Sequence, residues 1–144
     1  LERVLRALRA TAYSAPALGP AIGAQWIEDG TADALAAEVR AEMSLRVKLA
    51  LDLFGPAAEP PSFACSLHVW LPMPELEAER AAAHALRAGV EVTPPSAPIV
   101  DWHGLSGLRV CLGGVEDGAD LEAALRVVAE AVGGAEDQLA RAMM

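Results

Sequence analysis

A single lysine, Lys48, stands beside ten arginines in this chain of 144 residues. The eleven basic residues form no cluster or stripe, and twenty acidic ones bring the formal net charge to −9. A chain of that balance is a poor match for a phosphate backbone, so nucleic-acid binding by these residues alone is not expected. Aromatic side chains make up only 4% of the chain, which argues against an all-β sandwich. Cysteine is scarce as well. Cys65 and Cys111 are far apart, no C-x-x-C occurs, and no secretory signal is seen. Free, buried thiols on strands and a cytoplasmic location are the expectation. The three histidines, His68, His84 and His103, are scattered without metal-ligand spacing, so each is expected at a surface or edge position and no metal site is expected. No apolar run approaches the ~18–20 residues of a membrane span. G-x-S-x-G and G-x-G-x-x-G are missing, and "CLGG" with "VEDG" does not replace the phosphate-cradling spacing of the latter. No catalytic residue is assigned.

What is present is apolar. Hydrophobic residues account for 53% of the chain, mostly Ala, Leu and Val, enough for one core. The opening "LERVLRALRA" sets Leu1, Val4, Leu5 and Leu8 on one helical face. A turn is expected near Ser14 to Pro16, then a short helix through Trp26 to about Glu28, closed by Asp29-Gly30. Thr31 is a candidate N-cap with Asp33 in the first turn. Nothing then breaks a helix from Ala32 to Phe54, before Gly55-Pro56 stops it. Such a helix is roughly 35 Å long at 1.5 Å per residue.

The second half mixes strands and helices. "SFACSLHVWL" alternates, with Phe63, Cys65, Leu67, Val69 and Leu71 on one face. A helix is expected over Glu75 to Arg87 with Gly89 past its end, then a short strand Val90 to Val92 and a brief extended piece at Ile99-Val100. "GLRVCLGG" is the last strand. The final helix is capped by Asp117, supported by Asp120, and is expected to end at Gly133-Gly134. The fold class is therefore α+β: a small mixed or antiparallel sheet of about three strands packed against helices, preceded by a long helix.

Two basic residues merit a chemical reading. Lys48 lies mid-helix beside Arg46 and Leu49, which suits a solvated face better than a Schiff base. Arg109 sits between Leu108 and Val110 in an apolar strand. A guanidinium held there has either a structural ion-pair partner or a ligand anion to grip.

"GLRVCLGGVEDGADLEAALRVVAEAV" resembles the C-terminal end of fold-type I pyridoxal-phosphate (PLP)-dependent aminotransferases, where an x-[LI]-R-[LVI] strand precedes a helix that opens on acidic residues. "LHVWLPMP" and "GVEVTPPSAP", with a helix between them, resemble a narrower branch, the bacterial MocR-type regulators of the GntR family. "IGAQWIEDGTADALAAEVRAEMSLRVKLALDLFG" is similar to that branch too, and the resemblance runs from Leu1 to about Val132. Pro95 and Pro98 depart from it, standing where the family commonly has glycine and an aromatic.

The resemblance implies an aminotransferase-like effector domain of a transcriptional regulator. Residues 1–30 would close the large lobe, 31–55 would form the interdomain helix, and 56–144 the C-terminal small lobe. Arg109 matches the arginine that binds the α-carboxylate of an amino-acid-like small molecule. The full-length protein would hold PLP, pair as a homodimer, and touch DNA only through a separate N-terminal domain. The PLP-binding S-x-[ST]-K segment is not in this sequence and Lys48 does not match its lysine, so no cofactor is expected on this chain alone. Two alternatives accompany this reading: the C-terminal lobe of a genuine aminotransferase, and an α+β interaction module unrelated to PLP.

Overall fold

The computed structural model of the protein describes residues 1–12, 17–97 and 106–142, and the side chains only up to 134. The internal contacts fall into two units, Leu1–Val39 and Arg40–Met144. The first holds helix α1 (Glu2–Thr11) and helix α2 (Leu18–Glu28), neither of which has a buried residue. The Leu1, Val4, Leu5 and Leu8 face expected from the sequence is exposed. Asp29 and Gly30 end α2 as anticipated: the Asp29 amide donates to the Gln25 carbonyl, and Gly30 takes φ +82°.

Helix α3 (Thr31–Phe54) spans the division between the units and matches the expected 32–54 closely. Its cap is shifted, however. Thr31 is the first helical residue, and its amide donates 2.9 Å to Asp29 Oδ1. The left-handed Gly30 turns the chain so that the aspartate two residues back satisfies an orphan amide. The exposed Asp29 carboxyl is held below its usual range by its hydrogen bonds with Thr31.

In the second unit, the buried face of α3 carries Met43, Val47, Ala50 and Phe54. Strands β1 (His68–Pro72) and β2 (Gly107–Cys111) form an antiparallel two-stranded sheet, with helix α4 (Glu75–Arg87) between them in sequence. Helix α5 (Gly118–Ala142) follows β2. Val69 and Leu71 of β1 join Leu108 and Val110 of β2 in the core, as period-two alternation requires. Ala78, Ala81 and Ala85 form the buried stripe of α4. Such small side chains allow close packing against α5, whose Leu121, Leu125 and Val128 are also buried. Gly89, at φ +88°, closes α4 while the Val90 amide donates to the Ala85 carbonyl, a C-terminal arrangement that glycine favours.

The α+β class holds, but the sheet is smaller than the expected three strands. Phe63 to Leu67 does not extend β1: Phe63 is 76% exposed, and the Ser66 amide turns back to the Phe63 carbonyl. A strand needs a partner, and β2 ends one residue before Leu112, whose amide makes a last bond to the Leu67 carbonyl. Val90 to Val92 is no strand either; a lone antiparallel bridge joins Thr93 to Arg109.

The expected stop at Gly133-Gly134 is also absent, for α5 runs through both. Each glycine costs a helix only about 1 kcal/mol relative to alanine, and the following "AEDQLARA" is rich in helix formers. The cysteines are free, but Cys65 is half-buried outside any strand and Cys111 is exposed. The turn at 14–16, the extended piece at 99–100 and His103 lie outside the described residues.

Candidate functional site

The register of the sheet decides what surrounds Arg109. Trp70 is directly opposite it, His68 is opposite Cys111, and Pro72 is opposite Gly107. With Val69, Leu71, Leu108 and Val110 turned into the core, the other face of the sheet carries His68, Trp70, Arg109 and Cys111. A Cβ added at Gly107 would come within 2.6 Å of Trp70 Cζ2 and closer still to the Leu71 carbonyl oxygen. Glycine at 107 therefore lets the indole lie over the start of β2, beside the arginine.

Arg109 is half-buried, and its Nε is shut off from solvent with no hydrogen-bond partner among the described residues. Nη2 donates to Thr93 Oγ1 at 3.5 Å, the outer limit for such a bond. Among the described residues no carboxylate pairs with it. A buried donor without a partner costs about 1–3 kcal/mol. Among the described residues, the strand thus holds a cation with an unused buried Nε donor, which an incoming carboxylate could accept from.

A second arginine shows what full satisfaction looks like, and the sequence reading missed it. Arg46 of α3 is only 8% exposed. Its Nη1 donates to the carbonyls of Leu112 (2.9 Å) and Val115 (2.6 Å), Nη2 to that of Glu116 (2.9 Å), and Nε to Glu42 Oε1 (2.6 Å). Every nitrogen is used, so Arg46 clamps the loop after β2 to α3. The available signal was its position on the apolar stripe, three residues after Met43 and four before Ala50.

Lys48 lies on an exposed face and pairs with Asp52 at 2.9 Å. This is the solvated position expected of it. Beside β2 an open cleft of about 440 Å³ is lined by Val90, Thr93, Val110, Val115, Leu121 and Leu125 among others. Among the described residues no group of three or more His, Cys, Asp or Glu is placed to hold a metal ion, and no helix is long and apolar enough to cross a membrane. Comparison with family models, curated proteins and solved structures yields no match to this chain.

Proposed function

We propose that this chain is the C-terminal part of a PLP-binding, aminotransferase-like effector domain of a transcriptional regulator, in which Arg109 holds the carboxylate of an amino-acid-like ligand. The observation that carries the proposal is the half-buried guanidinium of Arg109, whose Nε has no partner among the described residues, on the strand that carries the resemblance. The flanks of Lys48, "LRVKLA", do not match the S-x-[ST]-K segment of the resemblance, so in this reading PLP is held by residues outside this chain. Homodimer formation and DNA binding through a separate domain belong to the same proposal.

The role of Arg109 follows from its chemistry. Bidentate hydrogen bonding to a carboxylate fixes both position and plane. The strand supplies the orientation, with Trp70 opposite Arg109 in the register. Titration of the chain with amino acids, followed by calorimetry, tests this. Arg109→Ala is expected to weaken binding about thirtyfold, or about 2 kcal/mol, as when one partner of a desolvated charge pair is truncated. Equal binding by the variant would support the plain interaction module instead. Sequence found directly upstream would separate regulator from enzyme: a winged-helix segment ahead of a PLP-binding segment favours the regulator, and its absence favours the aminotransferase.

A further inference from the structure

We propose that the ligand is a basic amino acid, with Glu59 holding the cation at the end of its side chain. This rests on the reading that Arg109 binds an amino-acid carboxylate, and adds the ligand class. Glu59 lies on the edge of β1 away from β2. Its amide donates to the Trp70 carbonyl at 2.8 Å, and the two residues form a lone antiparallel bridge. The lone bridge beside β2 joins Thr93 to Arg109, and Trp70 pairs with Arg109 inside the sheet. One row therefore crosses the sheet in the order Glu59, Trp70, Arg109, Thr93.

Residues paired across a ladder share a face of the sheet, and burial agrees with that placement. Ala58 is in the core, while Glu59 beside it is exposed. At the other end of the row, Thr93 Oγ1 accepts from Arg109 Nη2. A carboxylate and a guanidinium thus stand on one face with an indole between them. Neighbouring strands are about 4.8 Å apart, so the backbones of Glu59 and Arg109 are separated by about 10 Å. Among the described residues neither side chain belongs to a salt bridge.

The row is complementary to a ligand with opposite charges at its two ends. Arg109 donates to the α-carboxylate, and Glu59 accepts from an ammonium or guanidinium at the tip of the side chain. The apolar stem lies along Trp70, whose ring also attracts cations. An α-amino group is too close to its own carboxylate to reach across the row, so the second charge must be on a long side chain. Glu59 is exposed, so its contribution is discrimination more than affinity. Glu91 is a second exposed acid, but it lies outside the row, two residues before Thr93 and on the cleft beyond β2.

The test is calorimetric titration of the chain with lysine and with norleucine, which has the same stem without the terminal ammonium. Lysine is expected to bind about fivefold more tightly, the scale of one exposed ion pair. In Glu59→Gln the ratio of the two affinities is expected to fall to about one. Glu91→Gln removes the same charge outside the row and is expected to keep the parent's ratio. Equal affinities in the parent would overturn the proposal without reference to any variant. So would a lysine preference that survives Glu59→Gln, or one that Glu91→Gln abolishes as well. In each of those cases an amino acid still binds, and the carboxylate reading of Arg109 stands. Binding of acidic or aromatic amino acids without lysine refutes only this proposal, and binding of no amino acid refutes both.

Discussion

Arg46 Nη1 lies 2.6 Å from the carbonyl oxygen of Val115, a residue 69 positions away along the chain. This bond and its companions to Leu112 and Glu116 tie the loop after β2 to the middle of α3. They anchor the downstream end of the strand that carries Arg109.

Removing that clamp leaves backbone carbonyls without their donor. Arg46→Met is expected to lower unfolding free energy by about 3 kcal/mol in urea denaturation, since hydrogen bonds to charged groups exceed the ordinary kind. Arg46→Lys, with one nitrogen in place of the fork, is expected to fall between the two. A Met variant as stable as the parent would show that the clamp contributes nothing net.

Arg109 should behave in the opposite way. Among the described residues its Nε is a buried donor without a partner and its Nη2 makes only a long bond to Thr93, so truncation removes a cost and little bonding. Arg109→Met is expected to leave stability unchanged or raise it by about 1 kcal/mol in the absence of ligand. Residues kept for binding at the expense of stability show this sign. A loss of stability comparable to that of Arg46→Met would identify Arg109 as a structural ion-pair residue.

Gly107 is predicted to tolerate no side chain. The added methyl of Gly107→Ala would collide with the Trp70 ring and the Leu71 carbonyl. Forced repacking of that kind costs about 1–3 kcal/mol. The accompanying sign is a changed Trp70 environment, readable by fluorescence, and an unchanged spectrum would count against the close approach.

These contrasts mark how far the sequence could be read. Periodicity placed α3, α4 and the four inward residues of the sheet, because burial of a regular face leaves a regular pattern. The failures in the sheet involve pairing partners. Phe63 to Leu67 and Val90 to Val92 have strand-like alternation, but alternation does not say whether a neighbour is there to bond, and β2 pairs only as far as Cys111. Gly133-Gly134 has the look of a stop, yet glycine only weakens a helix. Arg109 stood out because a charge interrupts an apolar strand. Arg46 did not, because its partners are backbone carbonyls about seventy residues away, and those leave no residue-type signature. The opposition of His68 and Cys111 is a matter of register, which neither residue's local sequence reveals.

The start of α3 carries a pH dependence. Hydrogen bonding with Thr31 depresses the folded-state pKa of Asp29 below the unfolded value, which is about 3.9. A depressed carboxyl contributes stability that is fully present above the unfolded pKa and is lost as pH falls through the folded one. The Thr31 amide is therefore expected to lose its hydrogen-exchange protection only below about pH 4. In Asp29→Ala it is expected to be unprotected at every pH. Protection in the variant equal to the parent would refute the cap.

The central claim is that Arg109 binds an amino-acid carboxylate. The most direct measurement is the side-chain Nε–H resonance of Arg109 in ¹⁵N-arginine-labelled chain, assigned with Arg109→Lys and followed during titration with each common amino acid and its α-amide. The account predicts that at least one amino acid shifts this resonance in a saturable way while its amide, which lacks the carboxylate, does not. A resonance that no amino acid moves, or that acid and amide move alike, would contradict it.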